Sequence, residues 1–165
     1  MIIGRHIADY IENLCRQHKD VLHSDYEIHF VNLNDDKQQT SQAETLRYPA
    51  VLFETAGYTT IPYGESFRKR HQCHLQVVTH ITDTGDYAAI ESALAKCDNI
   101  LTDFLSRMLH DKRHRSPRWL SGLDLSGMEV IPIENKSDAL YGVLAELYLP
   151  EQICSLDFME SFNQQ

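Results

Sequence analysis

The sequence predicts a single α+β domain, with a mixed or mainly antiparallel sheet covered on one face by two helices. The first observation is that residues 74–82 alternate between apolar and polar, as in a half-buried strand, and lead into the only long amphipathic helix. The second is that segments with strand-like alternation lie on both sides of that helix. A chain of 165 residues is normally one domain, and we place this domain at residues 1–150.

The first predicted element is an amphipathic helix over residues 3–17. Four apolar residues in this segment recur at spacings of three and four, which places them on one helix face: Ile3, Ile7, Ile11 and Leu14. A helix with one apolar face buries that face against the rest of the fold. We therefore expect this helix to be one of the two that cover the sheet.

Two strands follow, with a polar segment between them. Residues 26–33 alternate like a half-buried strand, and residues 49–55 form an apolar run with Pro49 at its start, where proline removes no ladder donor. Residues 34–47 are polar and almost free of large apolar side chains, which predicts a long exposed loop. Residues 56–72 contain two glycines and a proline, and they fit either an irregular crossing loop or a ragged hairpin.

The central element is a long helix that begins after Asp86, whose carboxylate can accept hydrogen bonds from the first free backbone N–H groups. Its apolar stripe consists of Tyr87, Ile90, Leu94, Cys97, Leu101, Phe104 and Met108, and Ala93, Ile100 and Leu105 widen it. So broad a stripe is typical of a helix that packs on a sheet. Residues 110–127 follow as a second predicted loop, which is basic at its start.

Two strands at residues 128–134 and 139–149 complete the predicted domain. A turn joins them, and Pro132 indicates that the first of the two lies at a sheet edge or contains a bulge. Alternate residues of the second strand share one apolar face: Tyr141, Val143, Ala145, Leu147 and Leu149. Residues 151–165 form an acidic, amphipathic tail outside the domain.

The composition argues against several classes of protein. Apolar residues make up 42% of the chain and charged residues 24%, which are ordinary values for a globular domain. No apolar run approaches the ~20 residues needed to cross a bilayer, and the first residues lack the pattern of a signal peptide. The four cysteines are widely separated, which favours reduced thiols over a disulfide scaffold. We therefore expect a cytoplasmic protein without a membrane anchor.

The net charge of −9 is unevenly distributed. Seven of the fifteen basic residues fall in two short patches: Arg68, Lys69 and Arg70, and then Lys112, Arg113, Arg115 and Arg118. Because a broadly acidic surface repels phosphate, we expect no specific binding of nucleic acid. The second patch, together with the only tryptophan, predicts a protein interface at Lys112, Arg113, Arg115, Arg118 and Trp119, although a solvated loop has the same pattern.

Only one stretch has a spacing that resembles a set of metal ligands: His71, Cys73 and His74. Strand alternation places His71 and Cys73 on one face and His74 on the other, so the three side chains converge only if the strand bends. The glycines are isolated and form no phosphate-binding loop, and no cysteine lies in a turn of the kind that exposes a nucleophile. We therefore expect no enzyme activity, no catalytic residue, no metal and no cofactor.

The order of these elements resembles the tail-terminator and neck proteins of tailed phages and prophages. The similar features are the N-terminal helix, the strands at 26–33 and 48–55, the strand-helix unit containing Asp86-Tyr87-Ala88-Ala89-Ile90, and the final hairpin. The resemblance covers roughly residues 3–150 and lies in element order and length. Such proteins are small α/β subunits that assemble as rings, typically hexameric. The ring caps the finished tail tube and meets the head connector.

The resemblance implies a structural subunit whose partners are further copies of itself, tail-tube proteins and head-connector proteins. It also implies a cytoplasmic location during assembly and a place in the virion tail or neck afterwards. No site residue follows from it. Two alternatives remain open: a cytoplasmic adaptor or regulatory module that binds a protein through residues 112–119, and a small metal-dependent enzyme at His71, Cys73 and His74.

Overall fold

A computed structural model describes residues 2–35, 45–64, 66–126 and 128–152. In chain order the elements are α1 (Ile2–Gln17), β1 (Phe30–Asn32), β2 (Ala50–Tyr63), β3 (Ser66–His80), α2 (Tyr87–His114), a 3₁₀ helix (Arg118–Gly122), β4 (Val130–Asn135) and β5 (Leu140–Gln152). The five strands form one sheet in the order β1-β2-β3-β5-β4. The first pair is parallel and the other three are antiparallel. The predicted α+β fold with a mixed sheet and two helices is confirmed.

One face of the sheet forms the core beneath the two helices. The register aligns Phe53 of β2 with Leu75 of β3 and Ala145 of β5, and each of these residues is at most 1% exposed. The helices add large buried side chains to the same cluster: Ile7 and Ile11 from α1, and Ile100, Leu101, Phe104 and Met108 from α2. Burying one such side chain contributes roughly 1.5–3 kcal/mol, so this face is the main source of stability.

The predicted cap and apolar stripe of α2 are largely confirmed. Asp86 accepts a hydrogen bond from the Ala89 N–H at 3.0 Å, and the residues of the stripe from Cys97 onward are buried. Tyr87 is an exception, because the whole turn over residues 82–88 stands clear of the core and leaves its ring 80% exposed. No helix in the described part of the chain is both long and apolar enough to cross a membrane.

The predicted strand at 26–33 is shorter in the structure, where only Phe30–Asn32 pair with β2. The reason is a local turn: the Ser24 hydroxyl accepts hydrogen bonds from the backbone N–H groups of Tyr26 and Glu27, which removes these donors from any ladder. Most of the loop predicted after this strand, at residues 36–44, lies outside the described residues.

The C-terminal hairpin agrees with its prediction. β4 is an edge strand of the sheet, as the proline at position 132 indicates, and the five alternate residues of β5 from Tyr141 to Leu149 are buried. At Gly142 a Cβ atom would lie 2.0 Å from the Val77 carbonyl oxygen, so only glycine allows β3 and β5 to approach this closely. β5 continues to Gln152, and residues 153–165 of the predicted tail lie outside the described residues.

A buried carboxylate connects the two helices. Asp111 of α2 accepts hydrogen bonds from the Tyr10 hydroxyl of α1 at 2.8 Å and from Arg107 Nε at 3.0 and 3.1 Å, and His110 Nδ1 lies 3.2 Å away. Burial acts to raise the pKa of Asp111, but the hydrogen bonds from Tyr10, His110 and Arg107 outweigh it, so the pKa lies below its ordinary value. The charged carboxylate therefore stabilises the packing of α1 on α2.

Replacing Leu101 with alanine tests the packing of α2. Leu101 is 1% exposed, so Leu101→Ala should lower the free energy of unfolding by ~2–5 kcal/mol. Lys96 is exposed on the same helix, and Lys96→Ala should change that free energy by less than about 0.5 kcal/mol. Urea denaturation of both variants measures the difference. Equal losses would show that α2 does not bury this face.

Replacing Asp111 with asparagine tests the connection between the helices. Because the folded-state pKa of Asp111 is depressed, its carboxylate contributes stability above about pH 4, and this contribution is lost as pH falls through the folded-state pKa. Asp111→Asn should therefore be less stable than the wild type at neutral pH, and the gap should narrow in acid. Urea midpoints across a pH series measure it, with exposed Asp98→Asn on the same helix as the control. A gap that is constant with pH would contradict the charged role of Asp111.

Candidate assembly surface

Past residue 55, β2 and β3 continue as a hairpin, residues 56–72, which we call the arm, and β5 runs beside β3 as far as Arg68. Its strands remain paired up to the last pair, Tyr63 with Ser66, so the hairpin interpretation of this segment is correct and the crossing loop is wrong. Two of its aromatic side chains are exposed: Tyr58 is 52% exposed and Phe67 is 44% exposed. These exposed apolar side chains make the arm a candidate for contact with another molecule.

A β-bulge separates the arm from the rest of the sheet. The pairing register shifts between Thr55 and Gly57, so that Ala56 is an extra residue on β2. Gly57 has φ +127°, a conformation that other residues rarely adopt, and Gly64 at the end of the hairpin has φ +59°. These two glycines are the sequence signals that distinguish a bulged hairpin from an irregular loop.

The outer edge of β2 is closed only as far as the bulge. β1 pairs with β2 at residues 51–53, and the side chain of Asn34 then occupies the next place along the edge. Its Oδ1 accepts a hydrogen bond from the Thr55 N–H at 2.7 Å, and its Nδ2 donates to the Thr55 carbonyl at 3.2 Å. From residue 56 to 63, no strand of the described chain pairs with this edge. An open edge is a template for an added strand.

Cations accompany the aromatic residues of the arm. The Lys69 amine lies 4.8 Å from the centre of the Tyr58 ring, and the Arg70 guanidinium lies 3.9 Å from the centre of the Tyr148 ring on β5. Ile61 is a further exposed apolar residue of the arm. Aromatic and arginine side chains beside each other are typical of the residues that contribute most to protein interfaces.

The structure brings the two basic patches to the same end of the molecule. Hydrogen bonds from the side chain and main chain of Ser126 lower the pKa of Asp124, and the charges of Lys112 and Arg70 lower it further. The Asp124 N–H also donates to the Tyr148 carbonyl at 3.1 Å, which holds this residue beside the base of the arm. One residue from each patch therefore lies near the same carboxylate, a proximity that the sequence analysis did not predict.

The loop predicted at 110–127 is largely wrong, because α2 continues to His114 and a 3₁₀ helix follows at Arg118–Gly122. Leu120 and Leu123 are fully buried, and they draw the segment onto the core. The two leucines follow the tryptophan and lie three residues apart, and this spacing was the sequence signal for the packing.

The five candidate interface residues divide into two groups. The Lys112 amine donates to the Leu123 carbonyl, and the Trp119 ring packs edge-on against Tyr10 with ring centres 5.6 Å apart. These two side chains therefore stabilise the subunit itself. The other three are exposed and remain candidates for contact with a partner: Arg113, Arg115 and Arg118.

The residues with metal-like spacing lie on opposite faces of β3. His71 and Cys73 are buried on the face that the helices cover, whereas His74 lies on the uncovered face. Burial raises the pKa of the Cys73 thiol to about 12, so this thiol is protonated at neutral pH and is a poor nucleophile. Within the described ranges, no group of three or more His, Cys, Asp or Glu side chains is arranged to hold a metal ion.

The uncovered face of the sheet carries a row of charged residues that the sequence analysis missed. His74 lies between Glu54 of β2 and Glu146 of β5 in the cross-strand register. Its Nδ1 is 2.8 Å from a Glu54 carboxylate oxygen, its Nε2 is 3.9 Å from Glu146, and the Tyr148 hydroxyl donates to Glu146. Ionisable and hydrogen-bonded groups across three strands favour contact of this face with water.

Comparison with known proteins identifies no relative: the chain matches no protein-family model and no curated protein. The assignment of function therefore depends on the residues and their arrangement.

Replacing Trp119 with alanine distinguishes residues of the fold from residues of the surface. Trp119→Ala should lower the free energy of unfolding by about 1–3 kcal/mol, because the half-buried ring packs on Tyr10 and the core. Combined replacement of Arg113, Arg115 and Arg118 by alanine should change it by less than about 0.5 kcal/mol. Urea denaturation compares the two variants. A smaller loss for Trp119→Ala than for the triple variant would show that the Trp119 side chain does not stabilise the fold.

Proposed function

We propose that this chain is a structural subunit of a phage tail or neck, a tail-terminator component that forms a ring, caps the tail tube and joins it to the head connector. The observation that carries the proposal is the arm, residues 56–72, which presents exposed aromatic side chains and an open strand edge. The element order that resembles this class of protein lies in a subunit with the expected α+β fold.

The arm supports assembly because part of its apolar area remains exposed to water in the single chain. Tyr58, Ile61 and Phe67 are each between one third and about one half exposed. Burying the exposed part of each against a neighbour would contribute roughly 1 kcal/mol. Pairing the open edge of β2 would also satisfy main-chain groups that otherwise only water can bond. A neighbouring copy of the chain would supply both gains.

The charge distribution favours contact between unlike surfaces of neighbouring subunits. Basic residues from both patches lie at one end, near Asp124, while the chain as a whole has a net charge of −9. The basic end of one subunit therefore attracts the acidic surface of the next more than it attracts another basic end. Repeated contacts between unlike surfaces produce a ring if the rotation between neighbours closes. An acidic ring also suits a channel that passes DNA without binding it.

A second function, a protein-binding adaptor, is favoured by one observation. Arg113, Arg115 and Arg118 are exposed around the C-terminal end of α2. An adaptor would remain a monomer and would bind an acidic partner through these residues. The oligomeric state therefore separates the two proposals.

Sedimentation of the purified chain tests ring formation. The wild type should form a ring-sized species, and combined replacement of Tyr58 and Phe67 by serine should reduce it to smaller species without lowering the melting temperature. Tyr87→Ser on α2 is the matched control, because Tyr87 is more exposed than either arm residue. Moderate salt should weaken the ring, since exposed charges are screened over ~8–10 Å. A wild-type monomer at every concentration would exclude the ring.

The role in the tail has its own test. Loss of the gene from the phage that encodes this chain should give tail tubes of uncontrolled length, because no ring caps them, and electron microscopy measures that length. Tails of normal length would exclude the terminator role, whatever the oligomeric state of the purified chain.

A further inference from the structure

We propose that the open edge of β2 in the arm binds residues 153–165 of a second copy of this chain as an added β-strand. The inference rests on the proposed ring, and it names the contact that joins one subunit to the next. It follows from the direction of the main-chain groups along β2, the positive charge beside this edge, and the composition and length of the C-terminal segment.

The main-chain groups that face away from β3 are identified by the contacts with β1. The Val51 N–H donates to the His29 carbonyl at 2.7 Å, and the Phe53 carbonyl accepts from the Leu33 N–H at 2.8 Å. Thr55 continues this pattern through its two hydrogen bonds with Asn34. The backbone N–H and carbonyl groups of the odd-numbered residues of β2 therefore point away from β3 as far as the bulge.

Beyond the bulge, the even-numbered residues of β2 carry the main-chain groups that point away from β3. Because Ala56 is an extra residue, the outward positions after it are Tyr58, Thr60 and Pro62. Proline has no N–H group, and at an outward position it removes no hydrogen bond to β3. The edge therefore offers two N–H donors and three carbonyl acceptors in the spacing of a strand.

A positive charge beside this edge favours an acidic partner. The Lys69 amine lies over the ring of Tyr58, a residue of β2. Residues 153–165 contain Asp157 and Glu160 and no lysine or arginine. The same segment contains five large apolar residues that can pack on the exposed side chains of the arm: Ile153, Leu156, Phe158, Met159 and Phe162.

The open edge of a second copy is a poorer partner for the same surface. Two arms paired through β2 would bring their own basic residues together, and like charges at an interface are unfavourable. Such a contact would also be isologous and would stop at a dimer. A contact between the arm and a C-terminal segment joins two different surfaces, which is the kind of contact that a ring needs.

The C-terminal segment is long enough for this contact. It has thirteen residues after the end of β5, whereas the open edge has eight, from 56 to 63. Pairing with the whole edge therefore leaves five residues, or about 16 Å of extended chain, to cross between neighbouring subunits. The natural thiol of Cys154 lies within these five residues if the pairing uses the last eight.

Thiol cross-linking in the full-length chain tests the proposal. Cys15, Cys73 and Cys97 are buried, so Cys154 can be joined to a new cysteine at an exposed position. Thr60→Cys, treated with a flexible bismaleimide, should give covalently linked dimers and higher species on a denaturing gel. Thr102→Cys on the exposed face of α2 should give none, and adding Cys154→Ser should remove the products of Thr60→Cys.

The pattern of products decides between the occupants of the edge. Cross-links confined to single subunits would show that the segment folds back on its own chain, and they would overturn the proposal. Intact rings without any link between positions 60 and 154 would also overturn it, because another segment, such as residues 36–44, then covers the edge. In that case the ring proposal stands. Absence of rings in the wild type overturns the proposed function itself.

A peptide with the sequence of residues 153–165 provides a second measurement. It uses the wild-type chain, so its result does not depend on whether a variant folds. Added in excess to the wild-type chain, the peptide should compete for the edge and convert rings to smaller species in sedimentation. The same peptide with Asp157→Lys and Glu160→Lys should need at least about a tenfold higher concentration, because the positive charge beside the edge repels it. Equal potency of the two peptides, or no effect of either, would contradict the proposal.

Discussion

The structure depends on the pairing of β3 with a strand on each side. The register aligns Phe53, Leu75 and Ala145 on the face beneath α2, where they form the centre of the core. Side chains of a strand alternate between faces, so a slip of one residue would expose all of these apolar groups at once. Gly142 allows β3 and β5 to approach closely enough for this register to hold. The placement of every other element follows from which face of β3 is apolar.

The same register determines which groups of the sheet face solvent. It places His74 between Glu54 and Glu146 on the opposite face, and these ionisable groups favour contact of that face with water. The helices cover the other face. Exposed apolar side chains of the sheet lie on the arm, at Tyr58, Ile61 and Phe67, and on the edge strand β4, at Val130 and Ile131.

The basic patches have different physical roles, although the sequence shows them as similar clusters. Lys112 is held by the Leu123 carbonyl and belongs to the folded subunit, whereas Arg113 is exposed on the same helical turn. Arg70 contributes to the arm through its contact with the Tyr148 ring. A cluster of charges thus combines side chains that stabilise the fold with side chains that remain for a partner, and only their contacts separate the two groups.

The sequence by itself determined the elements that have one buried face, because burial imposes a period of two on β5 and a period near 3.6 on α2. It also determined the Asp86 cap, which depends on neighbouring residues alone, and it limited the strand of Pro132 to an edge position or a bulge. Only the tertiary structure decided the arm, since the β2 side chains at 58–62 are exposed on both faces of the sheet and show no alternation. It also decided the packing of Trp119 on Tyr10, which joins residues far apart in the chain and leaves no local pattern.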